Sequence, residues 1–148
     1  MKKLEFINLE VCDEAADWAS GKTWQEVYTS CHRGDWLLWL FAKTNPDNLQ
    51  ELTLAKGHCA NTARHLMKDE RSIKAVDAAI AYGEGKISKE DLNIAAYAAD
   101  AAATAYAAYA DAAYDAAKKE NQKQTADICR KYLPIELWNI LKLNFEIV

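Results

Sequence analysis

The sequence predicts an all-α protein, and three observations carry that prediction. Between Ala95 and Ala117, fifteen of 23 residues are alanine, the strongest helix former, and the rest are Tyr, Asp and one Thr. Elsewhere apolar residues recur at three- and four-residue steps, as in Leu49, Leu52, Ala55 or the stem of Lys56, Cys59, Ala63 and Leu66. No Gly or Pro lies between Gly85 and Pro134, so nothing in that stretch interrupts a helix. The expected architecture is a single-domain helical bundle over residues 1–148 with one long Ala-rich helix.

Residues 5–19 mix apolar positions with Glu10, Asp13, Glu14 and Asp17, the pattern of a first amphipathic helix closed by Ser20-Gly21. Thr23-Trp24-Gln25-Glu26 matches a capping box, in which hydroxyl and carboxylate satisfy each other's backbone donors, and predicts a short helix to about Ser30. Arg33-Gly34-Asp35 restarts the chain with Asp35 as N-cap, and Trp36-Leu37-Leu38-Trp39-Leu40-Phe41 is apolar all round, as in a core helix. Asn45-Pro46-Asp47 ends it, with Asp47 placed to cap a helix that runs from 48 to 67. Asp69 or Ser72 starts the next, and Gly83-Glu84-Gly85 stops it with glycines able to adopt a left-handed cap. Ser88 opens the Ala-rich helix. There Asn93, Tyr97, Asp100, Thr104, Asp111, Asp115 and Lys118 project on one stripe, with Tyr106, Tyr109 and Tyr114 opposite. Ile128 to Leu143 predicts short closing helices, and the tail from 143 to 148 alternates as extended chain does.

Composition narrows the function. Twenty-two Asp and Glu against 18 Lys and Arg, with no basic run, disfavour long nucleic acid as a partner. The N-terminal residues lack the apolar core of a signal peptide and no span reaches transmembrane length, so the expectation is a cytoplasmic protein without membrane contact. Cys12, Cys31, Cys59 and Cys129 form no CxxC pair and read as free structural thiols. The doublets Cys31-His32 and His58-Cys59 each point their two side chains in different directions, so no metal or other cofactor is expected.

No phosphate loop, GxSxG or HExxH is present, and the expectation is a protein without catalysis. Two polar groups stand out as binding candidates. His58, Asn61 and His65, at three- and four-residue spacing, share a helical face beside Arg64 and offer hydrogen bonds to a phosphate or a base edge. Arg33, Asp35 and Trp36 sit at a helix start, where an anion is favoured and an indole stacks on a base. Arg71 is a third anchor, and Tyr97, on the stripe with Asp100, is a stacking platform.

Those residues carry a resemblance. Arg33 to Leu40, His58 to Met67, Asp69 to Ser72, the Ala/Tyr/Asp tract and Ala126 to Tyr132 together resemble the Imm5-like immunity family, small helical proteins of bacteria and tailed phages. The resemblance implies a role in conflict between phage, bacterium and toxin, with two mechanisms. One is a phage-encoded sponge acting in the host cytoplasm, which sequesters a small signalling nucleotide such as a cyclic dinucleotide or an ADP-ribose derivative. Arg33, Asp35, Trp36, His58, Asn61, Arg64, His65, Arg71, Tyr97 and Asp100 would then line the site. The other is an immunity protein that covers a protein toxin, for which acidic Asp100, Asp111 and Asp115 suit a basic nuclease. Alanine-faced helices also suit a homodimer.

Overall fold

The computed structural model describes the backbone of residues 2–4, 9–106 and 115–139, and the side chains of 9–97 and 119–139. Seven α-helices dominate the described residues, as the sequence predicts. The first expected helix is shorter than its pattern suggested. Strands β1 (Lys2–Leu4) and β2 (Leu9–Val11) pair antiparallel with Lys3 opposite Glu10, and α1 spans only Asp13–Ala19. Along β2, Leu9 is half-buried, Glu10 exposed and Val11 buried, the two-residue alternation of a strand with one face on the core.

Helix α2 (Trp24–Ser30) opens on the predicted capping box: Thr23 Oγ1 accepts from the Glu26 amide at 3.2 Å and Glu26 Oε2 from the Thr23 amide at 2.9 Å. Helix α3 (Gly34–Thr44) has Arg33, not Asp35, at its N-cap, because the Asp35 carboxylate is taken by the Arg33 guanidinium. Asn48 rather than Asp47 precedes α4 (Leu49–Asn61). That helix stops six residues short of the expected end at Met67. Thr62 Oγ1 donates to the Cys59 carbonyl at 2.7 Å, the Thr62 and Ala63 amides bond three residues back, and Arg64–Leu66 forms a 3-10 turn. Asp69 caps α5 (Glu70–Gly83), and Ser88 Oγ accepts from Asp91 at the start of α6 (Lys89–Tyr106). Of the glycines expected to end α5, Gly85 takes the left-handed conformation, at φ 76°, and Gly83 does not. Helix α7 spans Asp115–Tyr132, and a 3-10 turn, Ile135–Leu137, follows Pro134. Residues 107–114 and 140–148 lie outside the described residues. The expected continuity of the Ala-rich helix, Tyr109, Asp111, Tyr114 and the extended tail fall there.

Helices stack in the sequence α6, α5, α4, with α4 also against α3 and α7 and α7 against α3. The continuous core lies among α1 to α4, the end of α7 and Trp138, where Phe41, Ala126, Cys129 and Leu133 are fully buried. Two crossings depend on missing side chains. A Cβ on Gly34 would lie 2.6 Å from the Thr125 backbone carbonyl carbon of α7, and one on Gly83 would lie 2.7 Å from Leu54 Cα of α4. Across the core, buried Asn45 ties the C-terminal segment down: its Nδ2 donates to the Leu137 carbonyl at 2.6 Å, and its Oδ1 accepts from the Asn139 amide at 3.4 Å. Gly34→Ala is expected to destabilise by about 1–3 kcal/mol through overpacking of α3 on α7. Urea unfolding monitored by circular dichroism checks this, and a midpoint equal to wild type would show that the crossing relaxes freely.

Candidate functional site

The six apolar residues that open α3 are not buried all round. Leu37, Leu40 and Phe41 turn into the core, whereas Trp36 is half-buried and Trp39 is exposed. Trp36 and Trp39 are three residues apart and share a face. Opposite them stand α1, with Ala15, Trp18 and Ala19, and the end of β2, with Glu10 and Val11. Val27 and Cys31 close the floor. The result is a predominantly apolar cavity of about 360 Å³, within the range of small-molecule sites.

Its mouth carries an aromatic cluster. Trp18 and Trp36 lie 6.1 Å apart between ring centroids, and His32 sits edge-on to both at 5.9 and 6.1 Å. Two cations cover outer ring faces: Lys22 Nζ lies 4.8 Å from the Trp18 centroid and the Arg33 guanidinium 4.5 Å from that of Trp36. Arg33 also forks onto Asp35 at 2.9 and 2.7 Å, with Glu14 3.6 Å away. That bidentate bond holds the Asp35 carboxyl below its ordinary range, so it stays ionised and occupied. Burial raises the Cys31 thiol, which therefore remains protonated and a weak nucleophile. Cys12, also on the cavity wall, is exposed.

Of the ten residues singled out in the sequence, only Asp35 and Trp36 line this cavity, with Arg33 beside them. The others lie apart from it. His58 stacks flat on Tyr132 of α7, centroids 4.1 Å apart and rings 4° from parallel. Asn61 accepts from Arg64 Nε at 2.8 Å, and the Arg64 guanidinium is ion-paired with Asp77 of α5. The 3-10 turn takes Arg64 and His65 out of helical phase with His58 and Asn61, so the predicted shared face does not form, and His65 is exposed. Arg71 forks back onto its own N-cap, Asp69, whose carboxyl it holds at about 2. Tyr97 is 82% exposed on α6, and the Asp100 side chain lies outside the described residues. Sequence reasoning missed Glu10, Ala15, Trp18 and Trp39. The available signal was an excess of apolar surface in α3: a short helix apolar on every side cannot bury both Trp36 and Trp39 along with Leu37, Leu40 and Phe41.

Three of the four cysteines, Cys31, Cys59 and Cys129, are buried. The hydrogen bond with Cys59, and then burial, raise the Cys129 thiol and keep it protonated. Among the described residues no group of three or more His, Cys, Asp or Glu is arranged to hold a metal ion, and no helix is long and apolar enough to cross a membrane. No protein-family profile, curated protein or solved structure matches the chain.

The His58 stack gives a pH prediction. Burial lowers this imidazole below its ordinary value, so between the unfolded and folded values the unfolded chain binds more protons. Its stabilising contribution is complete above about pH 6.5 and is lost as pH falls through that value towards the folded one. The melting temperature is expected to fall between pH 7 and 5 in wild type and to fall less in His58→Gln. Parallel slopes in calorimetric melts would mean that other groups set the dependence.

Proposed function

We propose that the protein is a non-enzymatic binding protein of the immunity kind, acting in the cytoplasm and neutralising a protein toxin that it engages at the tryptophan-lined cavity. The observation that carries this reading over nucleotide sequestration is the state of the arginines. All four, Arg33, Arg64, Arg71 and Arg130, are ion-paired with carboxylates of this chain. A phosphate ligand that relied on the arginines would have to compete with those carboxylates. The cavity instead offers aromatic and aliphatic walls, the surface on which a projecting side chain of a partner anchors. Two of its titratable lining groups speak for holding rather than transforming: Asp35 is tied to Arg33, and Cys31 is protonated.

The nucleotide reading keeps one point in its favour, the cation-backed face of Trp36, and both readings meet in one experiment. Purified protein is incubated with extracts of toxin-producing and of phage-infected, defence-expressing bacteria, recovered and heat-denatured, and the released material is identified by mass spectrometry. A protein toxin is expected with wild type, with growth protection on co-expression. Ala15→Leu, which fills the cavity and leaves stability equal or higher by about 0.5–2 kcal/mol, is expected to lose both. Release of a nucleotide in molar equivalence to the protein would overturn the toxin reading.

A further inference from the structure

We propose that the tryptophan-lined cavity is a receptor for a cationic group on an apolar stem, the arginine or lysine side chain of a partner protein; the assignment rests on the binding role above and specifies the chemistry of the anchor. Among the described residues, the charged side chains that line the cavity are both acidic, Glu10 and Asp35. Arg33 neutralises Asp35, which leaves Glu10, exposed in β2 with Lys3 opposite it in the strand pair, as the other acidic group of the lining. The surroundings have the same sign: over residues 2–4 and 9–36, Glu10, Asp13, Glu14, Asp17, Glu26 and Asp35 outnumber Lys2, Lys3, Lys22 and Arg33. Low-dielectric walls focus such a field into the cavity, which raises the local concentration of cations and repels phosphate.

The indoles add a second attraction of the same sign. Trp18 and Trp36 each hold a cation of this chain against one ring face, at 4.8 and 4.5 Å, while both also contribute to the cavity wall. A ring quadrupole attracts positive charge on either face, so a guanidinium or ammonium that stacks on the second face of either indole is favoured over a neutral group of equal shape. Val27, Leu37 and Leu40 offer aliphatic surface to a methylene stem, which long basic side chains bury while their charged head stays near water. A volume of about 360 Å³ suits one such side chain and excludes a folded element.

The test compares n-butylguanidinium with its neutral isostere n-butylurea and with AMP, by tryptophan fluorescence and calorimetry on the intact protein. Butylguanidinium is expected to bind about tenfold more tightly than butylurea and AMP not at all. Glu10→Gln, at an exposed position, is expected to reduce the guanidinium affinity several-fold and to leave butylurea unchanged. Equal affinities for the two isosteres, no response to butylguanidinium, or tighter binding of AMP would overturn the assignment. Toxin capture that persists without guanidinium preference removes only the cationic anchor; guanidinium binding with no toxin retained upholds the receptor chemistry and removes the immunity role.

Discussion

The close approach of helix backbones is the constraint on which the rest of the structure depends. Gly34 against Thr125 and Gly83 against Leu54 each leave no room for a Cβ, and Gly57 faces Ile80 and Ala79 with a Cβ position 2.9 to 3.1 Å from them. Residues with small side chains bury little apolar area apiece, so a core made of such crossings needs a few large groups at its centre. Trp138 has that role. It lies 4.8 Å from Trp24 and 5.0 Å from Phe41 between centroids and donates its indole N–H to the Leu133 carbonyl at 3.0 Å. With Trp24 and Trp138 inside, the remaining tryptophans of the first 40 residues, Trp18, Trp36 and Trp39, meet at the surface of α1 and α3, and the cavity is the space between them.

Features that depend on a few neighbouring residues were legible in the sequence. The Thr23 capping box, the Asp69 cap and the Ser88 start are local hydrogen bonds between groups at most three positions apart. The all-α class followed from the alanine content and helical spacing. Features decided by competition were not legible. Residues 2–11 have a mixed apolar and acidic pattern that serves a helix or a strand pair equally well, and burial of Val11 decides for the strand. The face shared by His58, Asn61 and His65 required α4 to continue to Met67, and the Thr62 hydroxyl tightens the chain first. The cavity was hidden for a third reason: its residues come from β2, α1, α2 and α3, and only the packing brings them together.

Charge pairing separates residues suited to binding an anion from residues able to do so. Arg33, Arg64 and Arg71 have the right chemistry for a phosphate, and the sequence shows that much. Their partners Asp35, Asp77 and Asp69 come from a neighbouring turn or a neighbouring helix, and they convert three cations into locally neutral pairs. What remains at the cavity is ring surface with Glu10 in its lining and Lys22 against Trp18, a different setting from the cluster of free arginines that the sequence suggested.

The cavity floor is fastened by the far end of the chain. Tyr28 Oη donates to the Leu133 carbonyl at 3.0 Å, and Arg130 donates back to the Tyr28 and Cys31 carbonyls at 3.1 and 2.8 Å. These bonds bridge about a hundred positions, so they close one of the longest loops the chain contains. During synthesis Val27 and Cys31 emerge about a hundred residues before Arg130 and Leu133, whose bonds fasten this floor. A nascent chain therefore carries Trp18 and Trp36 for about a hundred residues before the groups that fasten the cavity floor are made.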